Sequence, residues 1–376
     1  MVEKRRNSSI EFLKIIAMFF IIISHVVQTY GMDHSLIGLS NKYFIDIELC
    51  SANLENLIMS CLRYLGALGN DIFFIASAWF LIDNKKNNFS KIINIVIDTW
   101  IISILFFIVF KICGVSIGKQ DMIKSLFPTI TSANWYVTCY ILFYIIHQGL
   151  NKIIESLNQK QLFWFDIFLI ITYGVICTLE SDLLFFNYLI QFIFIYFIIA
   201  YVKKYMINTI SSKKNNVIIL ACSTILLLSL IIITNYLGLK IPVLHNKVLH
   251  WAKGNNILII LIALSLFNIF RNKTSYKKIV NYVSKQTLFI YIIHENILFR
   301  TYIRPYIFVQ IYEIFGYKYI IAWIMIISII LFVLSCIISL VYSSSIKRIT
   351  KKISDVLDKK IRIIGNKVEK MVLKIN

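Results

Sequence analysis

SSIEFLKIIAMFFIIISHVV, residues 8–27, decides the fold. Its length matches the roughly 20 residues an α-helix needs to cross about 30 Å of hydrocarbon, yet it carries Lys14 near one end and His25 far along it. The two are eleven positions apart, about 1100° of turn, so they share a face to within about 20° and stand about 16 Å apart along the axis. Glu11 adds a carboxylate to the Lys14 end of the stripe. An unpaired ionisable group in lipid is costly, so this stripe is expected to face a polar cavity. Simpler roles exist for part of it. Ser8 followed by Glu11 fits a capping box, and Lys14 can snorkel to the headgroups. His25 is too deep to snorkel.

The rest of the chain has the same character. Of 376 residues, 59% are hydrophobic and only 15% charged, with a mean hydropathy of +0.76; soluble domains carry about a quarter charged residues. The first apolar run is too long and too polar to read as a cleaved signal peptide. Ten spans are expected, at about 10–30, 57–82, 91–113, 134–150, 163–180, 183–202, 217–239, 254–271, 284–304 and 319–344. The expected fold is an all-α polytopic membrane helix bundle of about ten transmembrane helices, filling 1–345. Residues 346–376 form a separate basic tail, whose apolar residues from Ile346 to Val368 follow helical spacing and suit an amphipathic helix on an anionic leaflet.

The net charge of +20 is one of orientation. Lys85 and Lys86, Lys203, Lys204, Lys213 and Lys214, then Arg271, Lys273, Lys277 and Lys278 fall on one side with both ends of the chain. Asp33, Asp46, Glu48, Glu180 and Asp182 fall on the other. The positive-inside rule then makes both termini cytoplasmic. Nucleic acid is not an expected partner, because no basic–aromatic groove pattern occurs. Seven scattered cysteines without a CxxC pair suggest neither a disulfide framework nor a zinc site. No P-loop, GxGxxG, HExxH or GxSxG motif is present, which disfavours ATP-driven transport, dehydrogenase and α/β-hydrolase chemistry.

Three more stretches place polar groups at lipid depth. CLRYLGALGNDIFFIASAWFLI, residues 61–82, holds Arg63 and Asn70 on one face with Asp71 beside them; Arg63 lies toward the outer surface, where an interfacial role suffices. SANWYVTCYILFYIIH, residues 132–147, brings Trp135, Tyr136 and Tyr140, which fit an aromatic belt or sugar stacking equally well. QTLFIYIIHENILFRTYIR, residues 286–304, sets His294 and Glu295 deep inside. Two histidines and an aspartate suit acid–base catalysis, but also a proton relay in a transporter or flippase.

In order along the chain, IEFLKIIAMFFIIISH, GNDIFFIASAWFLI, NWYVTCYILFYII and FIYIIHENIL resemble the motifs of the bacterial acyltransferase type 3 family, integral-membrane O-acyltransferases that modify surface polysaccharides and other acceptors. The resemblance implies helices around a polar tunnel in the bacterial cytoplasmic membrane. It implies acyl-CoA, most simply acetyl-CoA, as a donor substrate rather than a resident cofactor, and a hydroxyl of a surface glycan or lipid-linked saccharide as acceptor. By the same likeness His25 matches the catalytic histidine and Lys14 the donor-side basic residue, with Glu11 near it; Asp71 and His294 match further site positions. Arg63, Asn70, Trp135, Tyr136, Tyr140 and Glu295 are then candidates to line the substrate path. Lys14 stands where the family has Arg, losing the forked guanidinium that suits phosphate; Glu11 replaces Asp, and Ala78 replaces Gly.

Overall fold

A computed structural model of the chain describes residues 6–28, 50–84, 89–180, 183–315 and 319–372. Among them no strand occurs, and nine helical segments are long and apolar enough to cross a membrane. The helices are α1 (Ser8–Val27), α2 (Leu54–Leu81), α3 (Phe89–Ile112), the short α4 (Lys119–Leu126), α5 (Trp135–Ser156), α6 (Gln159–Leu169), α7 (Tyr188–Tyr205), α8 (Lys213–Gly238), α9 (Ile257–Arg271), α10 (Lys278–Ser284), α11 (Thr287–His294), α12 (Arg304–Phe315), α13 (Ile320–Ser345) and α14 (Lys347–Val372). A π-helical stretch, Ile170–Ile176, prolongs α6 toward Leu179, and a 3-10 stretch, Pro242–Ala252, precedes α9.

The centres of the expected spans coincide with these helices, with one exception. The segment expected as a single span at 284–304 is broken: α11 stops at His294 and a π-turn over Phe299–Ile303 leads into α12. The cause is local chemistry. Asn296 Oδ1 accepts the Leu298 N–H at 3.1 Å, starting a new turn, while the Glu295 carboxylate collects Arg300 and Arg304 from the chain beyond. Irregular backbone at membrane depth is tolerated where it lies inside protein, and both Glu295 and Asn296 are buried.

α1 is central, with Ala17, Ile22, Val26 and Val27 fully buried. Its start differs from the capping box expected at Ser8. Asn7 is the cap, accepting the Ser9 N–H at 3.0 Å, because Ser8 Oγ is drawn to Asn281 Oδ1 at 2.8 Å and Glu11 to Ser284. These bonds tie the head of α1 to α10, whose approach loop also supplies Ser275 O to the Ser8 N–H at 2.9 Å. The basic loops gather at this end. Asn272 reaches Ser211 O at 3.2 Å, and Lys203 pairs with Asp83 at 2.5 Å. At the opposite end Lys247 donates to Glu180 at 2.6 Å, a hydrogen bond that holds that carboxyl below its ordinary range. Lys85, Lys86, Asp33, Asp46, Glu48 and Asp182, which entered the charge reading, lie outside the described residues.

α1 and α2 pack through glycine, as membrane helices do when small residues let backbones approach. A Cβ on Gly69 meets Ala17 O at 2.5 Å and Ile21 Cγ1 at 2.7 Å. The first contact is with backbone, so relief requires the helices to part. Gly69→Ala is expected to cost about 1–3 kcal/mol, the usual cost of overpacking, read as a lower unfolding midpoint in detergent. An unchanged midpoint refutes this account of the α1–α2 seam.

Candidate active site

The stripe on α1 runs Glu11, Lys14, Met18, Ile21, with His25 one turn further, and the first four line a cavity of about 330 Å³. α10 and α11 run beside α1 and add Ser284, Lys285, Thr287, Leu288 and Tyr291 to the same walls. The mouth is cationic: Arg6, Lys14, Lys91 and Lys285 surround a single carboxylate, Glu11. Glu11 lies 3.4 Å from Lys14 Nζ and 4.0 Å from Arg6, and also accepts the Ser284 hydroxyl. Lys91 Nζ donates to Tyr140 Oη at 3.0 Å and lies over the Tyr140 and Tyr144 rings. The mouth therefore offers net positive charge to an anion.

The deep end is aromatic. Tyr136 donates to Asn70 O at 3.4 Å, and its ring stands 5.9 Å from that of Tyr291. Tyr291 in turn meets the His294 ring edge-on at 5.8 Å. So the cavity ends one helical turn short of the two histidines, with Tyr291 between.

Beyond that ring lie His25, His294 and Glu295. His25 Nδ1 is 3.1 Å from His294 Nε2 and 3.0 Å from Glu295 Oε1. Hydrogen-bond logic fixes the tautomers. His294 Nδ1 sits 2.7 Å from Ile290 O, an acceptor only, so Nδ1 carries the proton and a neutral His294 accepts at Nε2. His25 Nδ1 must then be the donor, toward His294 and the carboxylate together. When the His25 ring carries that one proton, its basic nitrogen is Nε2. Glu295 is held in turn: Arg304 Nη1 reaches Oε1 at 2.7 Å and Arg300 Nη1 reaches Oε2 at 3.2 Å.

The ligand atoms of His25, His294 and Glu295 lie within 4.8 Å of one another, close enough to share a metal ion. The chemistry of the set favours a proton instead. The carboxylate already faces two guanidinium groups, which would repel a dication.

The other sequence candidates divide. Asn70, Tyr136 and Tyr140 line the cavity with Lys14 and Glu11. Asp71 is fully buried and accepts from Gln191 Nε2 at 3.1 Å, and its Oδ2 has no hydrogen-bond partner among the described residues. Trp135 stacks on Tyr188, with ring centroids 4.0 Å apart. The Arg63 carbonyl accepts from Ser24 Oγ at 2.7 Å, one residue before His25 on α1. Sequence reasoning missed Arg6, Lys91 and Lys285 at the mouth, and Arg300 and Arg304 at Glu295. The last two carried a signal, two arginines five and nine positions after a buried glutamate within an apolar stretch.

Comparison with curated proteins and comparison with solved structures each returned no match. Comparison with protein families did: a family model described as an acyltransferase domain matches residues 7–344, which takes in both sides of the cavity and the His25–Glu295–His294 cluster. The chain is thus a multi-pass membrane acyltransferase, a member of the acyltransferase type 3 family.

Proposed function

We propose that the protein moves an acyl group, acetyl in the simplest case, from acyl-CoA to a hydroxyl of a surface glycan or lipid-linked saccharide, with His25 as general base. The reading rests above all on one observation. The His25 ring is oriented through Nδ1 by Glu295 and His294, with a cation-lined cavity leading toward it from the other end of α1.

The donor enters at the basic loops, which the positive-inside rule assigns to the cytoplasm of the bacterial membrane. The CoA phosphates rest among Lys14, Lys91 and Lys285, and the pantetheine arm runs up the cavity past Met18 and Ile21. The distance fits: Lys14 and His25 are about 16 Å apart along the helix. Tyr291 yields to let the thioester reach His25.

The acceptor hydroxyl attacks the thioester carbonyl as His25 Nε2 takes its proton, the usual role of a positioned imidazole. The developing imidazolium is balanced by Glu295 through Nδ1–H. Collapse of the tetrahedral intermediate breaks the C–S bond, and the proton passes from Nε2 to the departing thiolate. The products are an ester and free CoA; atoms and charge balance without a further reactant. Neither His294 nor Asp71 is needed to move a proton in this scheme. His294 positions the ring.

The direct test is acyl-CoA turnover by protein in proteoliposomes, with and without a saccharide acceptor, followed by mass spectrometry of the product. Acceptor translocation without CoA release would instead mark a transporter. The mouth has its own test. Lys14→Gln and Lys285→Gln are each expected to raise KM for acetyl-CoA about fivefold with little change in kcat, as loss of about 1 kcal/mol of charge contact implies. The same variants should scarcely affect a substrate reduced to acetyl-pantetheine. An equal loss with both donors refutes the phosphate assignment.

A further inference from the structure

α14 starts beyond residue 344, where the family match ends, and it presents three distinct faces. At 100° per residue with Thr350 as origin, Thr350 and Ser354 fall at about 0° and 40°. Ile349, Ile353, Val356 and Ile364 fall in an arc centred about 80° to one side, with Lys360 among them, and Arg348, Lys351, Lys352, Lys359 and Arg362 in an arc centred about 150° to the other, with Asp355 among them. Burial follows the same division. Thr350 and Ser354 are 1% and 0% exposed, whereas Ile349, Val356 and Ile364 are 58%, 57% and 60% exposed.

The small polar face is latched to the bundle. Asp98 on α3 is buried and accepts from Tyr342 Oη at 2.7 Å, from Thr350 Oγ1 at 2.9 Å and from Lys347 Nζ at 3.0 Å. Three donors, one from the end of α13 and two from the first turn of α14, fix the helix in rotation as well as place. α13 ends at Ser345, so α14 leaves the bundle where a membrane-crossing helix meets the surface, at the end where α3 begins and the basic loops gather.

We infer that α14 is a surface-lying helix whose occupant is an anionic phospholipid leaflet, held in register for it by the Asp98 latch. The exposed apolar arc meets the acyl boundary, and the basic arc reaches headgroup phosphates. Charge selects the lipid: between residues 347 and 364 seven basic side chains face two acidic ones, of which Asp358 is paired with Arg362 at 2.9 Å. A zwitterionic leaflet satisfies only the apolar arc. The inference stands apart from the reaction proposed above and fails or holds without it.

The test is backbone hydrogen exchange across 347–364 in full-length protein reconstituted into bilayers of phosphatidylcholine alone or with phosphatidylglycerol added. Exchange is expected to slow at least tenfold in the anionic bilayer, and the difference to vanish at high salt and in the combined variant Arg348→Gln, Lys351→Gln, Lys352→Gln, Lys359→Gln. These four side chains are exposed and none of them takes part in the Asp98 latch, so the fold survives the change. Equal exchange in the two bilayers overturns the proposal, as does a difference that persists in the combined variant. Asp98→Asn keeps an acceptor and removes the charge. It is expected to speed exchange of the first turns in phosphatidylcholine, and unchanged exchange there overturns the latch.

Discussion

His25→Ala is expected to lower kcat for acyl transfer by about 10²–10⁴-fold, the range that a positioned general base contributes. Folding should be little affected. His25 sits at the end of a helix whose neighbours Val26 and Val27 remain buried, and its loss removes one hydrogen-bonded donor, worth about 1 kcal/mol. The comparison that gives the result meaning is His294→Gln. A glutamine there can still offer an acceptor to His25 Nδ1, so its cost should be about tenfold or less. If the two variants lose activity equally, the proton is being relayed through both rings and His25 is not the sole base. If His25→Ala retains wild-type transfer, the base assignment is wrong whatever the stability shows. KM for the donor should be unchanged in either variant, because the cationic mouth lies at the other end of α1.

The element order was legible because membrane spans are written in composition. A run of apolar residues long enough to cross hydrocarbon has few alternatives, and the polar exceptions within it, Lys14, His25, His294 and Glu295, point inward. Two parts were not legible, for different physical reasons. The break after His294 depends on Asn296 turning its side chain onto the Leu298 N–H and on a carboxylate whose partners lie five and nine residues on. Hydropathy averages over both. The mouth depends on helices that meet only in the fold: Lys91 begins α3 and Lys285 lies between α10 and α11, and each taken alone reads as an ordinary interfacial lysine. The cap of α1 illustrates a third case. Ser8 and Glu11 have the spacing of a capping box, but tertiary partners on α10 took both side chains and left the role to Asn7.

Glu295 carries the largest expected effect on stability, and its two substitutions separate charge from shape. Arg304 is 5% exposed, and its Nη1 rests on Glu295 Oε1 at 2.7 Å. Glu295→Ala therefore strands a buried guanidinium, and breaking such a pair from one side costs about 3–5 kcal/mol. Arg300 is less confined, with 18% of its side chain exposed, so it can turn toward water and adds less. The protein is expected to lose most of its folded fraction in detergent. Glu295→Gln keeps an oxygen for His25 Nδ1 and for Arg304 while removing the charge. It should fold with a smaller penalty and yet lose about 10²-fold in kcat, since the imidazolium formed at His25 loses its counter-charge. Replacing both members of the pair by apolar residues, Glu295→Leu with Arg304→Met, removes the stranded charge, and such exchanges of a buried pair are often neutral in stability. That double variant should recover the unfolding midpoint without recovering turnover. Recovery of both together would show that the carboxylate serves the fold alone, and His25 would then need another source of orientation.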